Sequence, residues 1–159
     1  LRLPGTVKGQ SERNPVWKEK FFIGTSKTQD TWTYAPLCAG IQGIAPTVNE
    51  TTQTYHFLCG HGGADNEVTA IAPQYAVTGR RIIGDAAQDY IAGLRYALGD
   101  DRKSSMKVEI YDASDALVET IVAGVTITDI TDFGGTTEEN EPFNCTLRVN
   151  GIPTVTPAS

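Results

Sequence analysis

No stretch of this 159-residue chain approaches the roughly twenty consecutive apolar residues that a membrane-spanning helix needs. A surplus of base is also missing: 19 Asp and Glu outnumber 13 Lys and Arg, for a net charge of −6. Tight binding to a phosphate backbone needs a basic surface, which argues against that mode. A surface that nucleic acid must pass without sticking stays open. Cysteine is scarce and odd in number. Cys38, Cys59 and Cys145 lie too far apart to form a disulfide framework. Three readings remain: reduced, partly buried thiols; a Cys38–Cys59 disulfide across a hairpin; or a zinc site that adds His56 and His61. Structural zinc usually shows two tight ligand pairs, and Cys38 is isolated. No secretory signal is visible, and the start at Leu1 rather than Met leads us to expect a few residues upstream.

Catalytic apparatus is missing as well. Asp132-Phe133-Gly134 is the tripeptide that holds magnesium over ATP in a protein kinase. None of its companions is present: no Gly-rich loop, strand lysine or His-Arg-Asp loop. There is no Gly-x-Ser-x-Gly elbow and no phosphate-cradling loop ahead of a helix. Glu138, Glu139 and Glu141 cluster in a turn, where a solvated charge run is the ordinary outcome. Asp100 to Lys103 reads as a helix-terminating turn with self-cancelling charges. The sequence offers no enzyme and calls for no cofactor or metal.

What the chain has instead is 16 Gly, 8 Pro, many Thr and Val, and 40% apolar residues, the makeup of a mostly β domain with enough apolar matter for a core. Phe21–Gly24 and Thr31–Ala35 read as a hairpin around a turn at Thr25–Asp30. Glu67–Thr78 reads as a strand interrupted by Pro73. Ser105–Tyr111 places Met106, Val108 and Ile110 on one side. Ala116–Ile130 reads as a long strand pair or one strand bent at Gly124, and Phe143–Val149 alternates as a last strand. Asp85–Leu98 reads as the one helix. Asp85 is its N-cap, Gln88 completes a capping box, Ala87, Tyr90, Ile91, Leu94 and Leu98 form its apolar stripe, and Gly99 caps its end.

Between these lie segments without an evident core face. Gly40–Asp65, with Thr47 to Phe57 at its centre, has strand-like content but poor alternation, which suggests a hairpin reaching out from the body; a mobile surface loop is the alternative. Leu1–Lys20 and Ile152–Ser159 read as arms that order against a partner, with Trp17 as a docking residue. Asp132 to Gly135 reads as a strand exit, with Phe133 packing at the end of the fold.

Four strings in this order, Val77-Thr78-Gly79-Arg80-Arg81, Gly84 to Arg102, Asp129 to Gly135 and Asn150-Gly151-Ile152-Pro153 to Pro157, resemble the major tail (tail tube) proteins of long-tailed, siphovirus-type bacteriophages. The likeness runs from about Phe21 to Pro157. It implies one tail-tube domain over 1–159, with a two-sheet β-sandwich or barrel and one flanking helix. Residues 1–20 and 152–159 would be its arms and 40–65 a long inter-ring loop. It further implies hexameric rings stacked around a lumen that conducts DNA during ejection. The partners are then other copies of the chain and further tail proteins (tape measure, tail terminator, distal tail), with DNA only in passage and no membrane. The setting is the tail of a virion assembled in the host cytoplasm. A receptor-binding or decorating β-domain on a virion surface is the competing class.

Two residue sets follow as expectations. Val48, Asn49, Glu50, Thr52, Tyr55 and Phe57 would make the inter-ring contact. Glu109, Glu119 and Asp129, each one position out of phase with an apolar neighbour, would sit on the outward-alternating face of inner strands and line the lumen, where fixed negative charge repels phosphate. The alternative places them in outside solvent.

Overall fold

The computed structural model describes residues 15–158. Nine strands and one α-helix follow one another: β1 (Lys20–Thr28), β2 (Thr31–Pro36), β3 (Ile41–Thr47), β4 (Thr51–His56), β5 (Ala64–Ala70), β6 (Gln74–Arg80), α1 (Ala86–Ala92), β7 (Lys103–Tyr111), β8 (Leu117–Thr131) and β9 (Pro142–Pro157). Seven form one sheet in the order β2-β1-β7-β8-β9-β6-β3; β4 and β5 form a second, two-stranded sheet. The expected mainly β fold with two sheets, one flanking helix and a projecting hairpin is thus present.

The large sheet cannot be flat. Strands lie about 4.8 Å apart, so β2 and β3 at its two edges would be separated by nearly 30 Å. Only Leu37 to Gly40 join them, a connection that spans less than about 20 Å when fully extended. The sheet therefore rolls until its edges approach. Its concave side holds the core: Ile23, Val77, Met106, Val108, Val125, Ile127, Phe143, Cys145 and Leu147, covered by Ala87 and Ile91 of α1. The alternating strings from β7, β8 and β9 meet there.

Where the Leu37–Gly40 connection meets the end of β6, two glycines allow backbone to touch backbone. A Cβ on Gly79 would lie 2.3 Å from the Gly40 carbonyl oxygen, and Gly40 itself has φ +75°. Gln88 closes the seam from the helix. Fully buried, it donates through Nε2 to the carbonyls of Ala39 (2.7 Å) and Arg80 (3.0 Å), and its Oε1 accepts from the Ile82 N–H (2.7 Å). This corrects the capping box. Asp85 does cap the helix, accepting from the Gln88 N–H at 3.2 Å, but the Gln88 side chain turns inward rather than back to Asp85.

The helix is also half the expected length, ending at Ala92 rather than Leu98. Beyond it the chain continues in tighter turns, Leu94 N–H to Ile91 carbonyl and Ala97 N–H to Leu94 carbonyl. Two arginines hold this path. Arg102 donates to the carbonyls of Arg95 (2.7 Å) and Ala97 (2.9 Å), and Arg95 pairs with Asp132. Leu98, expected on the apolar stripe, is exposed, and Gly99 (φ +62°) opens the next turn rather than capping α1.

Asp132 thus has a structural role: it is buried just past the end of β8, held by Arg95. Gly134 and Gly135, at φ +107° and +111°, turn the chain away. Phe133 does not pack into the end of the fold as expected. It is 55% exposed, and the Arg95 guanidinium sits 5.3 Å from its ring centre.

Three further boundaries differ from the sequence reading. The first turn is two residues, Gln29 and Asp30, both at positive φ, and β1 extends to Thr28. Glu67–Ala70 belongs to the second sheet with β4, not to the strand that follows Pro73. The C-terminal segment is no free arm: β9 continues through Gly151 (φ +78°), and Thr154 to Pro157 pair with Glu119 to Val122. At the other end, residues 1–14 of the expected arm lie outside the described residues. Trp17 is 78% exposed; it is Lys18 that docks, donating to Ala113 carbonyl and Asp115 carboxylate, each at 2.8 Å, in the β7–β8 turn.

Candidate assembly interface

The β4–β5 hairpin continues the β3–β6 ladder. Thr47 pairs with Gln74 and Thr51 with Ala70 in the same register, and the Ala72 N–H donates to the Val48 carbonyl (3.0 Å) in between. One antiparallel ribbon therefore starts in the body and runs out of it. Every residue of β4 and β5 is exposed. The hairpin's side-chain hydrogen bonds close on itself, as in Thr54 to Asn66 (2.7 Å) and His56 Nδ1 to the Gly62 carbonyl (2.9 Å). A two-stranded ribbon with no third layer is marginally stable in water, so this one is incomplete without something to pack on.

Its exposed apolar side chains gather near the tip and the root. The rings of Tyr55 and Phe57 stack with centroids 5.8 Å apart. Leu58, the first residue of the tip turn, is 95% exposed, and Val48, Val68 and Ile71 are each about half exposed. Among the residues expected at an inter-ring contact, Tyr55 and Phe57 lie together near the tip. Thr52 is on the exposed β4, while Val48, Asn49 and Glu50 form the root, where Asn49 (φ +54°) donates through Nδ2 to the Ala72 carbonyl (3.0 Å). The sequence reading missed Leu58 and did not assign β5 to this hairpin: Glu67 to Ala70 reads there as the start of the next strand. The signal was available: polar β-formers run on both sides of the glycines at 60, 62 and 63, as two arms of a hairpin centred there would.

The sulfur and imidazole groups do not converge. Cys38 and Cys59 are exposed and free, Cys145 is buried and free; the Cys38–Cys59 bridge is not formed. Among the described residues no three of His, Cys, Asp and Glu are grouped to hold a metal. Burial pushes the Cys145 thiol up to about 12.

The three carboxylates expected on one outward face do not share it. Residues directly opposite in an antiparallel pair lie on the same face. Glu109 pairs with Thr120 and Lys20 and faces away from the core. Glu119 pairs with Ile110, two residues before Ile121, and so lies on the core side at the rim. Asp129 is the extra residue of a bulge: Thr128 pairs with Thr146 but Thr131 with Asn144. Its φ of +55° brings its carboxylate within 3.6 Å of Arg148 on the face away from the core. That face also carries Lys20, 4.7 Å from the Tyr111 ring, and Lys107, which lies over Phe22 (4.7 Å) and Tyr34 (5.0 Å). Its cations are thus set against rings or a carboxylate.

Neither a protein-family model nor a curated protein matches the sequence. Solved structures match in fold. The tube-terminating cap of the anti-feeding prophage aligns with a TM-score of 0.62 at 13% identity, over 99% of this chain and 100% of that one. A chain from the tail of an empty GTA particle, determined with C6 symmetry, gives 0.65 at 12% identity over 91% and 99%. A chain of the PVC sheath–tube complex, from an extracellular contractile injection system in the extended state, gives 0.54 at 13% over 96% and 99%. Over nearly its whole length, this chain has a fold shared with components of phage-tail-like particles.

Proposed function

We propose that the chain is a structural, non-enzymatic subunit of a phage-type tail tube, which forms hexameric rings stacked around a lumen that conducts DNA during ejection. The β4–β5 hairpin is the contact between rings. The observation that carries this reading is the ribbon that leaves the body with an apolar tip and, among the described residues, no packing partner. The fold shared with tail and injection-system components supports it. The partners are further copies and the other tail proteins (tape measure, tail terminator and distal tail), in a virion tail assembled in the host cytoplasm. The face of β7, β8 and β9 away from the core lines the bore, with Glu109 and Asp129 on it.

Negative-stain microscopy of concentrated protein tests this. Hollow tubes or stacked rings are expected from the intact chain. Replacing residues 49–71 with a two-residue turn, which leaves the β3–β6 ladder intact, should give a folded protein without tubes. Normal tubes from the shortened protein would remove the hairpin from the contact, and monomers from the intact chain at all concentrations would remove the tube.

A further inference from the structure

The face of β7, β8 and β9 away from the core carries three cations, Lys103, Lys107 and Arg148, against two carboxylates, Glu109 and Asp129. Register places them together. Lys103 stands opposite Thr126, and Thr126 opposite Arg148, while the neighbours Val125 and Ile127 point into the core. Charge count alone therefore does not make this face repel phosphate. What it has instead is a partner for each cation. Lys103 pairs with Asp100 at 2.9 Å. Arg148 reaches Asp129 at 3.6 Å and donates to Gln74 at 3.0 Å. Lys107 makes no ion pair among the described residues. Its Nζ lies over two aromatic rings, 4.7 Å from the centre of Phe22 and 5.0 Å from that of Tyr34.

We propose that Phe22 and Tyr34 form a clamp that withholds Lys107 from passing DNA, so that the wall of the bore stays non-adhesive without being strongly acidic. The proposal rests on the tube reading and assigns positioning residues to its wall. Both rings are placed by the sheet. Phe22 stands directly opposite Lys107 in the β1–β7 ladder. Tyr34 crosses β1 at Gly24, and its hydroxyl lies 2.9 Å from Ser105 Oγ on β7. The negative face of an aromatic ring attracts an ammonium group. Adhesion to DNA comes from cations that reach phosphates and release counterions. To do so, Lys107 must first leave both rings, which weakens its phosphate contact by roughly two- to fivefold per ring. Assembly repeats that factor around the bore. Lys20, opposite Glu109 on β1, repeats the device: it makes no ion pair among the described residues, and its Nζ lies 4.7 Å from the centre of the Tyr111 ring.

The test changes the rings and leaves the charge alone. Tubes of Phe22→Leu with Tyr34→Leu should retain short duplex DNA at low salt, at least fivefold more than tubes of the intact protein, and release it as salt rises. Adding Lys107→Gln to that variant should abolish the gain. Ring-less tubes that retain no more DNA than intact ones, or a gain that survives Lys107→Gln, overturn the clamp. Tubes of Glu109→Lys with Asp129→Lys serve as the control for the bore. If they retain DNA and the ring-less tubes do not, the clamp falls and the bore stands. If neither retains it, this face does not line the bore and both fall.

A second readout needs no polymer. Protons held over an aromatic ring resonate upfield of their ordinary position. In NMR spectra of the unassembled subunit, the ε-methylene signals of Lys107 should be displaced upfield and should return towards ordinary lysine values in Phe22→Leu. Lys107 signals at ordinary values in the intact subunit would also overturn the proposal.

Discussion

Gln88 Nε2 lies 2.7 Å from the carbonyl oxygen of Ala39, a residue 49 positions earlier in the chain. This single amide ties the helix to the connection between the two edge strands, and its other bonds hold Arg80 and Ile82 at the exit of β6. Gln88→Leu keeps the volume but removes the partner of two part-buried carbonyls and one N–H. Each unsatisfied group costs about 1–3 kcal/mol, and with partial rescue by water we expect a loss of about 2–4 kcal/mol in urea unfolding. A change below about 0.5 kcal/mol would mean that the seam is held elsewhere.

The backbone contact beneath it should be as sensitive. A methyl group at Gly79 would meet the Gly40 carbonyl oxygen at 2.3 Å and the Ile41 Cα at 2.8 Å, neither of which can yield without moving β3. Gly79→Ala is expected to destabilise the fold by about 2 kcal/mol or more and to expose the hairpin root to proteolysis. Gly60→Ala, where an added methyl meets nothing, is the matched control and should leave stability unchanged.

Asp89 offers a test of local electrostatics. Its carboxyl pKa is lowered from the ordinary 3.8, first by the hydrogen bond from Arg81 and then by the Gly84 N–H. A lowered folded-state value stabilises the fold above pH 3.8, and that contribution is lost as pH falls through the folded value. Arg81→Gln removes the leading cause, so an NMR titration of the Asp89 carboxyl should move up towards 3.8. An unmoved titration would assign the shift to the backbone N–H alone.

For the bore, the prediction concerns DNA retention. Glu109→Lys with Asp129→Lys adds two cations per subunit on the face away from the core and releases Arg148 from its 3.6 Å partner. Tubes of this variant should retain short duplex DNA at low salt and release it as salt rises. Glu119→Lys, on the core side of the rim, should not change retention. Equal behaviour of the two variants would show that the outer face of β7 and β8 does not line the channel.

Much of the strand content was legible because alternation reports burial directly. Met106, Val108, Val125, Ile127, Phe143, Cys145 and Leu147 are the phase-matched positions of their strings, and all are buried. Pairing was not legible, because β6 beside β9 and the β2–β3 seam depend on contacts far apart in the chain. Helix length was misjudged because the stripe through Leu98 is an ordinary helical signal, which Arg95, Arg102 and Asp132 override by taking backbone carbonyls and a buried carboxylate. The tail was misread through its prolines. The Ala158 N–H donates to Val118, which turns the neighbouring Pro157 nitrogen to the free edge, where a missing N–H costs no ladder bond. Of the candidate contact, the exposed hairpin could be read from its poor alternation. Its return strand could not, since Glu67 to Ala70 pairs with β4 across the tip and reads locally as the start of the strand after Pro73.

The matching register of β6 and β5 on either side of the hairpin root has a mechanical consequence. Ladder hydrogen bonds run across the strands, so tension applied at the hairpin tip along the ribbon acts perpendicular to them. The bonds joining β3 to β6 and β6 to β9 then share the load in shear and must yield together, whereas a sideways pull would unzip them one at a time. A subunit gripped by its hairpin is therefore stiffest along the direction in which that hairpin points.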